Sequence, residues 1–176
     1  MSQRQEPDMT IEQKAAKLFG LTEERWERHA NPWSVWTRAS CLPFIEVAIW
    51  SRVWLGWWSL VPLALALLWT YFNPRLFPPP RTMQSWASRA VLGERVLAGR
   101  QTHPVPAHHV KASVILNCVA SSGLPFVLYG LWALDLRLLI GGTAVLILGK
   151  FWYLDRMVWL YQDMKDAVPS YAAWTR

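Results

Sequence analysis

Four apolar runs dominate the chain, at about 36–54, 57–73, 113–134 and 138–160. A helix rising 1.5 Å per residue over the first run is about 27 Å long, close to the thickness of a hydrocarbon core. Each run is therefore expected to be a transmembrane helix. Asn31-Pro32 supplies an N-cap and a first helical residue for span one. Gly56 marks the turn into span two, and Asn73-Pro74 is expected to close that span. Only Arg38, Glu46 and Arg52 interrupt span one, with both arginines near its ends, where their stems let the charge snorkel. Span three carries no charge, and its Asn117, Ser121, Ser122 and Gly123 invite close helix approach and interhelical hydrogen bonds. Asp135 and Arg137 mark a tight turn into span four, where Gly141-Gly142 is expected to serve helix packing.

The fourth run continues without a break into Gly149–Met164, where Lys150, Asp155, Arg156 and Asp163 stand among aromatics. At 100° per residue Trp152, Asp155, Arg156, Trp159 and Asp163 share one face, while Tyr153, Met157, Leu160 and Met164 line the neighbouring stripe. Charges on such a helix are costly unless they meet a partner, a wet cavity or the interface, which predicts a polar aromatic seam. Residues 82–100 read as a shorter amphipathic helix. Trp86, Ala87, Ala90, Val91, Leu97 and Ala98 share its apolar side, and Glu94 sits in the middle of it. The expectation is that this helix docks through Glu94 onto the Asp155, Arg156 and Asp163 group.

Before the first span, residues 1–30 read as an arm of short helices. Thr10–Gln13 matches a capping box, followed by the stripe Ile11, Ala15, Leu18 and Phe19. A second short helix starts at Thr22 and ends near Ala30. Pro78-Pro79-Pro80 forces an extended stretch, and the HPVPAHH loop, 103–109, is expected to be extended too. The membrane domain is thus 31–176, with a long loop at 74–112. No early apolar region precedes span one, so no cleaved signal peptide is expected.

Composition sharpens this picture. The chain is 53% hydrophobic and holds 13 tryptophans, a residue that favours the membrane–water boundary. Its net charge of +6 is spread between the apolar runs rather than gathered in one stripe, which points to anionic lipid headgroups and away from nucleic acid. Of 18 Lys and Arg, six fall before or near the start of span one, six in the 74–112 loop and four from Lys150 onward, leaving only Arg52 and Arg137 at the opposite turns. The positive-inside bias then puts both termini and the loop in the cytoplasm, with the protein in the inner membrane. Cys41 and Cys118 form neither a metal-type pair nor a disulfide framework.

Several stretches together, HANPWSVWTR (29–38), NPRLFPPP (73–80), WASRAVLGER (86–95), His108-His109 and GKFWYLDRMVWLYQDM (149–164), resemble a family of small bacterial and archaeal integral-membrane proteins catalogued as a domain of unknown function. The resemblance covers nearly everything beyond about residue 20. It implies the membrane fold and leaves the chemistry open.

Candidate chemistry lies on the expected cytoplasmic side. His29, His103, His108 and His109 are all the histidines present. His103, His108 and His109 are candidate metal ligands, with Glu94, Asp155 or Asp163 able to complete a site. Membrane di-iron hydroxylases carry about twice as many histidines in spaced boxes, so this chain is not expected to be one. His108, His109, Asp155 and Asp163 are the candidate catalytic groups, and Arg95 or Arg156 could hold a phosphate. Glu46 is the deepest acid; helix rise puts it near the depth of Lys150, which suggests a Glu46–Lys150 pair. No Ser-His-Asp order, Gly-rich phosphate loop or haem motif occurs. The fold expected is therefore an all-α bundle of four transmembrane helices with a cytoplasmic amphipathic helix. The function expected first is an accessory or scaffold protein binding lipid, a membrane partner or a second copy of itself. The alternative is a small interfacial enzyme acting on an amphiphile; proton or ion movement through an oligomer is the weaker third. No cofactor is required, although the histidines admit a divalent metal.

Overall fold

A computed structural model describes residues 23–175, and every regular element among them is helical. In chain order these are α1 (Glu23–His29), α2 (Pro32–Ala39), α3 (Cys41–Trp50), α4 (Arg52–Leu55), α5 (Leu60–Leu76), α6 (Trp86–Ala98), α7 (Ala107–Ser121), α8 (Leu124–Ala133), α9 (Leu136–Lys165) and α10 (Pro169–Ala172), with 3-10 turns at Gly56–Ser59 and Ala173–Thr175. The capping box at Thr10 and the stripe after it lie outside the described residues.

Among the described residues three lengths of helix are long and apolar enough to cross a membrane: Pro32–Leu76, Ala107–Ala133 and Leu136–Lys165. The first of them doubles back on itself. Gly56 takes φ 54° and ψ −129°, a conformation open to glycine at little cost, and α3 packs along α5. Asn31 caps α2 by accepting the Trp33 N–H at 2.9 Å, with Pro32 as first helical residue. Asp135 caps α9 by accepting from the Arg137 and Leu138 amides at 2.9 and 3.2 Å.

Two boundaries differ from expectation. Helix α5 runs through Pro74 to Leu76, because proline holds a helical φ and removes only one bond in the last turn. Phe77 ends it, extended at φ −87° and ψ 136° as a residue before proline prefers. At the other site α7 begins at Ala107, so His108 and His109 stand in its first turn rather than in an extended loop. Pro106 supplies the entry, and the residues after it carry no helix breaker.

The packed core sits at one end of the bundle. Ala87, Ala90, Val91, Val96 and Leu97 of α6 close over Tyr153, Met157, Leu160 and Met164 of α9. Gly93 makes this approach possible: a Cβ there would stand 1.9 Å from the Met157 carbonyl oxygen. Towards the other end only Val127, Leu131 and Leu139 form a small buried cluster, and the helices turn residues such as Leu65, Ile115, Leu128 and Ile140 outward. Apolar side chains are stable on that surface only in an apolar solvent. There α7–α8 and α9 meet at Gly123 and Gly142, whose added Cβ atoms would come within 2.4 and 2.8 Å of the facing carbonyl oxygens. Among the described residues Asn117 and Ser122 bond carbonyls of their own helix segment, Ser113 and Val119, and supply no interhelical bond; small-residue packing takes that place. At the far turns Arg52 donates to the carbonyls of Leu131 and Trp132, so the two hairpin ends are tied together.

Candidate functional site

Which stripe of α9 faces inward decides the site. Tyr153, Met157, Leu160 and Met164 are buried, while Trp152 and Trp159 are 63% and 56% exposed and Asp155 and Asp163 are exposed beside them. The expected seam is therefore largely an outward face, and α6 packs chiefly on the neighbouring apolar stripe. The apolar stripe wins the interior because burying it gains transfer free energy, while burying the acids would cost more than their contacts return.

Glu94 accordingly finds its partner at one side of that face. Lys150 Nζ donates to Glu94 Oε1 at 3.0 Å, and Nζ also lies 4.3 Å from the Tyr153 ring centroid. Burial is the largest single influence and raises the Glu94 pKa, but Lys150, His29 and Arg38 together outweigh it and the net shift is downward. The expected Glu46–Lys150 pair does not form. Helix rise sets the depth of a side chain but not its direction around the axis, and Glu46 instead accepts from Thr143 Oγ1 at 2.8 Å. Glu46 and Thr143 line a lateral groove of about 630 Å³ between α3 and α9, walled by Pro43, Trp50, Ile140 and Ile147.

Asp155 also serves α6: Trp86 Nε1 donates to its Oδ1 at 2.9 Å. The Trp86 ring stacks on Trp36 at 5.8 Å between centroids, and both contact Phe151. Arg156 approaches the Trp159 ring at 5.6 Å, with its buried Nε unmatched among the described residues. Arg95 covers the Trp174 ring at 3.9 Å, and the Arg95 pKa is lowered by burial.

The histidines separate. His103 packs edge-on against Tyr171 at 5.4 Å, away from the other candidates. His108 and His109 come together with Asp163, their ligand atoms all within 4.8 Å of one another. His109 Nε2 lies 2.8 Å from Asp163 Oδ2. A carboxylate only accepts, so the neutral ring donates from Nε2. Its Nδ1 is buried without a partner among the described residues. The residue itself is 1% exposed.

A further network was not expected. The side chain of Arg38 donates to His29 Nδ1 at 2.8 Å and to Ser34 Oγ at 3.1 Å, while Ser34 donates to Asn73 Oδ1 at 3.2 Å and Asn73 donates to Thr37 Oγ1 at 2.7 Å. Arginine has donors only, so the His29 ring accepts at Nδ1 and keeps its proton on Nε2. Burial, then the Arg38 guanidinium, lower the His29 pKa to about 3. The i, i+4 spacing of Ser34 and Arg38 was the only trace of this in the sequence. Asn31 Nδ2 donates to the Pro78 carbonyl at 2.9 Å and Ser88 Oγ to the Ala30 carbonyl at 2.8 Å, so the α1–α2 corner binds both α6 and the proline stretch.

Helices fit to cross a membrane, joined at one end by a packed apolar core, define an all-α membrane-protein class. Within that class the chain belongs to a family of unknown function, DUF6653, which it matches over residues 10–176. No curated protein and no solved structure matches it.

Proposed function

We propose that this is an inner-membrane accessory protein of four crossings, with both ends and the 77–106 segment cytoplasmic, that holds anionic phospholipid on the outward face of α9. The observation that carries the reading is the exposed pair Trp152 and Trp159 on that face, with Lys150 half exposed at its edge. Tryptophan gains most at a headgroup boundary, where its ring is sheltered and its N–H is wet. The groups that would serve an internal reaction are mostly engaged elsewhere: Glu94 with Lys150, Asp155 with Trp86, Glu46 with Thr143 and His29 with Arg38. The excess of basic residues at the same end adds about 1 kcal/mol of attraction to anionic lipid per side chain near the surface.

Native mass spectrometry of the detergent-purified protein tests this. Wild type is expected to retain anionic phospholipid, and the Trp152→Ala/Trp159→Ala double variant to lose most of it while keeping its helical content. Equal lipid retention by the two proteins would reject the reading. A stable protein complex carrying no lipid would reject it as well, replacing lipid by a membrane partner.

A further inference from the structure

We propose that His108, His109 and Asp163 form a binding site for one divalent cation of the zinc class, at the mouth of the bundle where α7 begins and α9 ends. Three potential donor groups lie within 4.8 Å of one another, and they come from two helices that the close α7–α9 packing holds together. His109 is the anchor. Its ring is enclosed, one nitrogen points only at Asp163, and the other has no partner among the described residues. A cation held by His109 Nε2 and Asp163 together replaces the hydrogen that now joins them, the ring proton moving to Nδ1.

The donor set selects the ion. Two imidazoles and a carboxylate suit a borderline cation such as Zn²⁺; Mg²⁺ and Ca²⁺ favour oxygen-only sets and Cu⁺ favours thiolate or thioether. Donors bound at 2.0–2.1 Å to one tetrahedral ion stand about 3.4 Å apart, so the widest separation in the group, up to 4.8 Å, closes by as much as about 1.4 Å. His108 and Asp163 are exposed, and their side chains have room to make that movement. Three protein donors leave the fourth position of a tetrahedral ion open, on the side facing solvent or headgroups. His103, held against Tyr171, is not part of the site.

The proposal stands apart from the lipid reading, which depends on Trp152 and Trp159; either can fail alone. It is tested with full-length, tag-free protein in detergent, stripped with a chelator and titrated with Zn²⁺ against a competing chromophoric chelator. Wild type and the His103→Ala variant should each bind one equivalent. His108→Ala and Asp163→Asn should each weaken binding by at least tenfold. Because both substituted side chains are exposed, the metal-free thermal midpoints of these variants should stay near wild type. Zinc should raise the midpoint of wild type and not theirs. Absence of stoichiometric zinc in wild type, or unchanged affinity in His108→Ala and Asp163→Asn, would overturn the site.

Discussion

At the scale of single residues, His29 carries the clearest consequence of the buried network. Its folded pKa of about 3 lies below the ordinary value of 6.5. Between those values the unfolded chain binds the proton and the folded one does not, so stability rises with pH across that window. The contribution is fully present above pH 6.5 and is lost as pH falls toward 3. Glu94, also lowered from its usual 4.5, adds loss in the same direction below that value. Thermal midpoints of the detergent-solubilised protein should therefore fall from pH 6.5 to 4.5, and His29→Gln, which takes up no proton, should flatten that part of the curve. Identical slopes in wild type and His29→Gln would show that burial beside Arg38 does not hold the ring neutral. This network was illegible in the sequence because each partner is remote: Ser34 meets Asn73, and His29 meets Arg38, only once α1, α2 and α5 have packed. The Glu46–Lys150 expectation failed for a related reason, since depth along a helix is a one-dimensional quantity and pairing needs azimuth as well.

At the scale of elements, long apolar runs and their caps were readable because each depends on local chemistry: length against bilayer thickness, Asn31-Pro32 at a helix start, Gly56 at a turn. The inward face of α9 was not. Two adjacent stripes, one aromatic and charged, the other aliphatic and aromatic, both have helical spacing, and only the presence of α6 decides between them. Neighbouring glycines test the observed register. Gly142 meets the Gly123 carbonyl, whereas an added Cβ at Gly141 meets nothing within 4 Å. Gly142→Ala should destabilise by about 1–3 kcal/mol through overpacking, and Gly141→Ala should be neutral or gain roughly 0.5–1 kcal/mol from lost chain freedom in the unfolded state. Chemical denaturation in mixed micelles measures both. Equal effects at the two positions would mean that α9 is rotated from the position described here.

For the molecule as a whole, two solvents explain the distribution of buried residues. Around α6 and the last turns of α9 the side chains pack as in a water-soluble domain, with Met157, Leu160 and Tyr161 fully enclosed. Farther along the same α9, the turns from Leu136 to Leu148 expose Ile140 and Leu148 at 60% and 68%, which water would not tolerate in such density and lipid would. That contrast, with Arg52 and Arg137 the lone basic residues at the outer turns, supports the proposed orientation. The most direct measurement is labelling of single cysteines by a membrane-impermeant maleimide in right-side-out vesicles, in a background with Cys41 and Cys118 replaced by serine. Trp57→Cys and Asp135→Cys should react from outside, and Arg100→Cys only after the vesicles are permeabilised. Ready reaction at Arg100→Cys with protection at Asp135→Cys would contradict the account, as would reaction at Asp135→Cys alone while Trp57→Cys stays hidden, which would leave the first hairpin outside the bilayer.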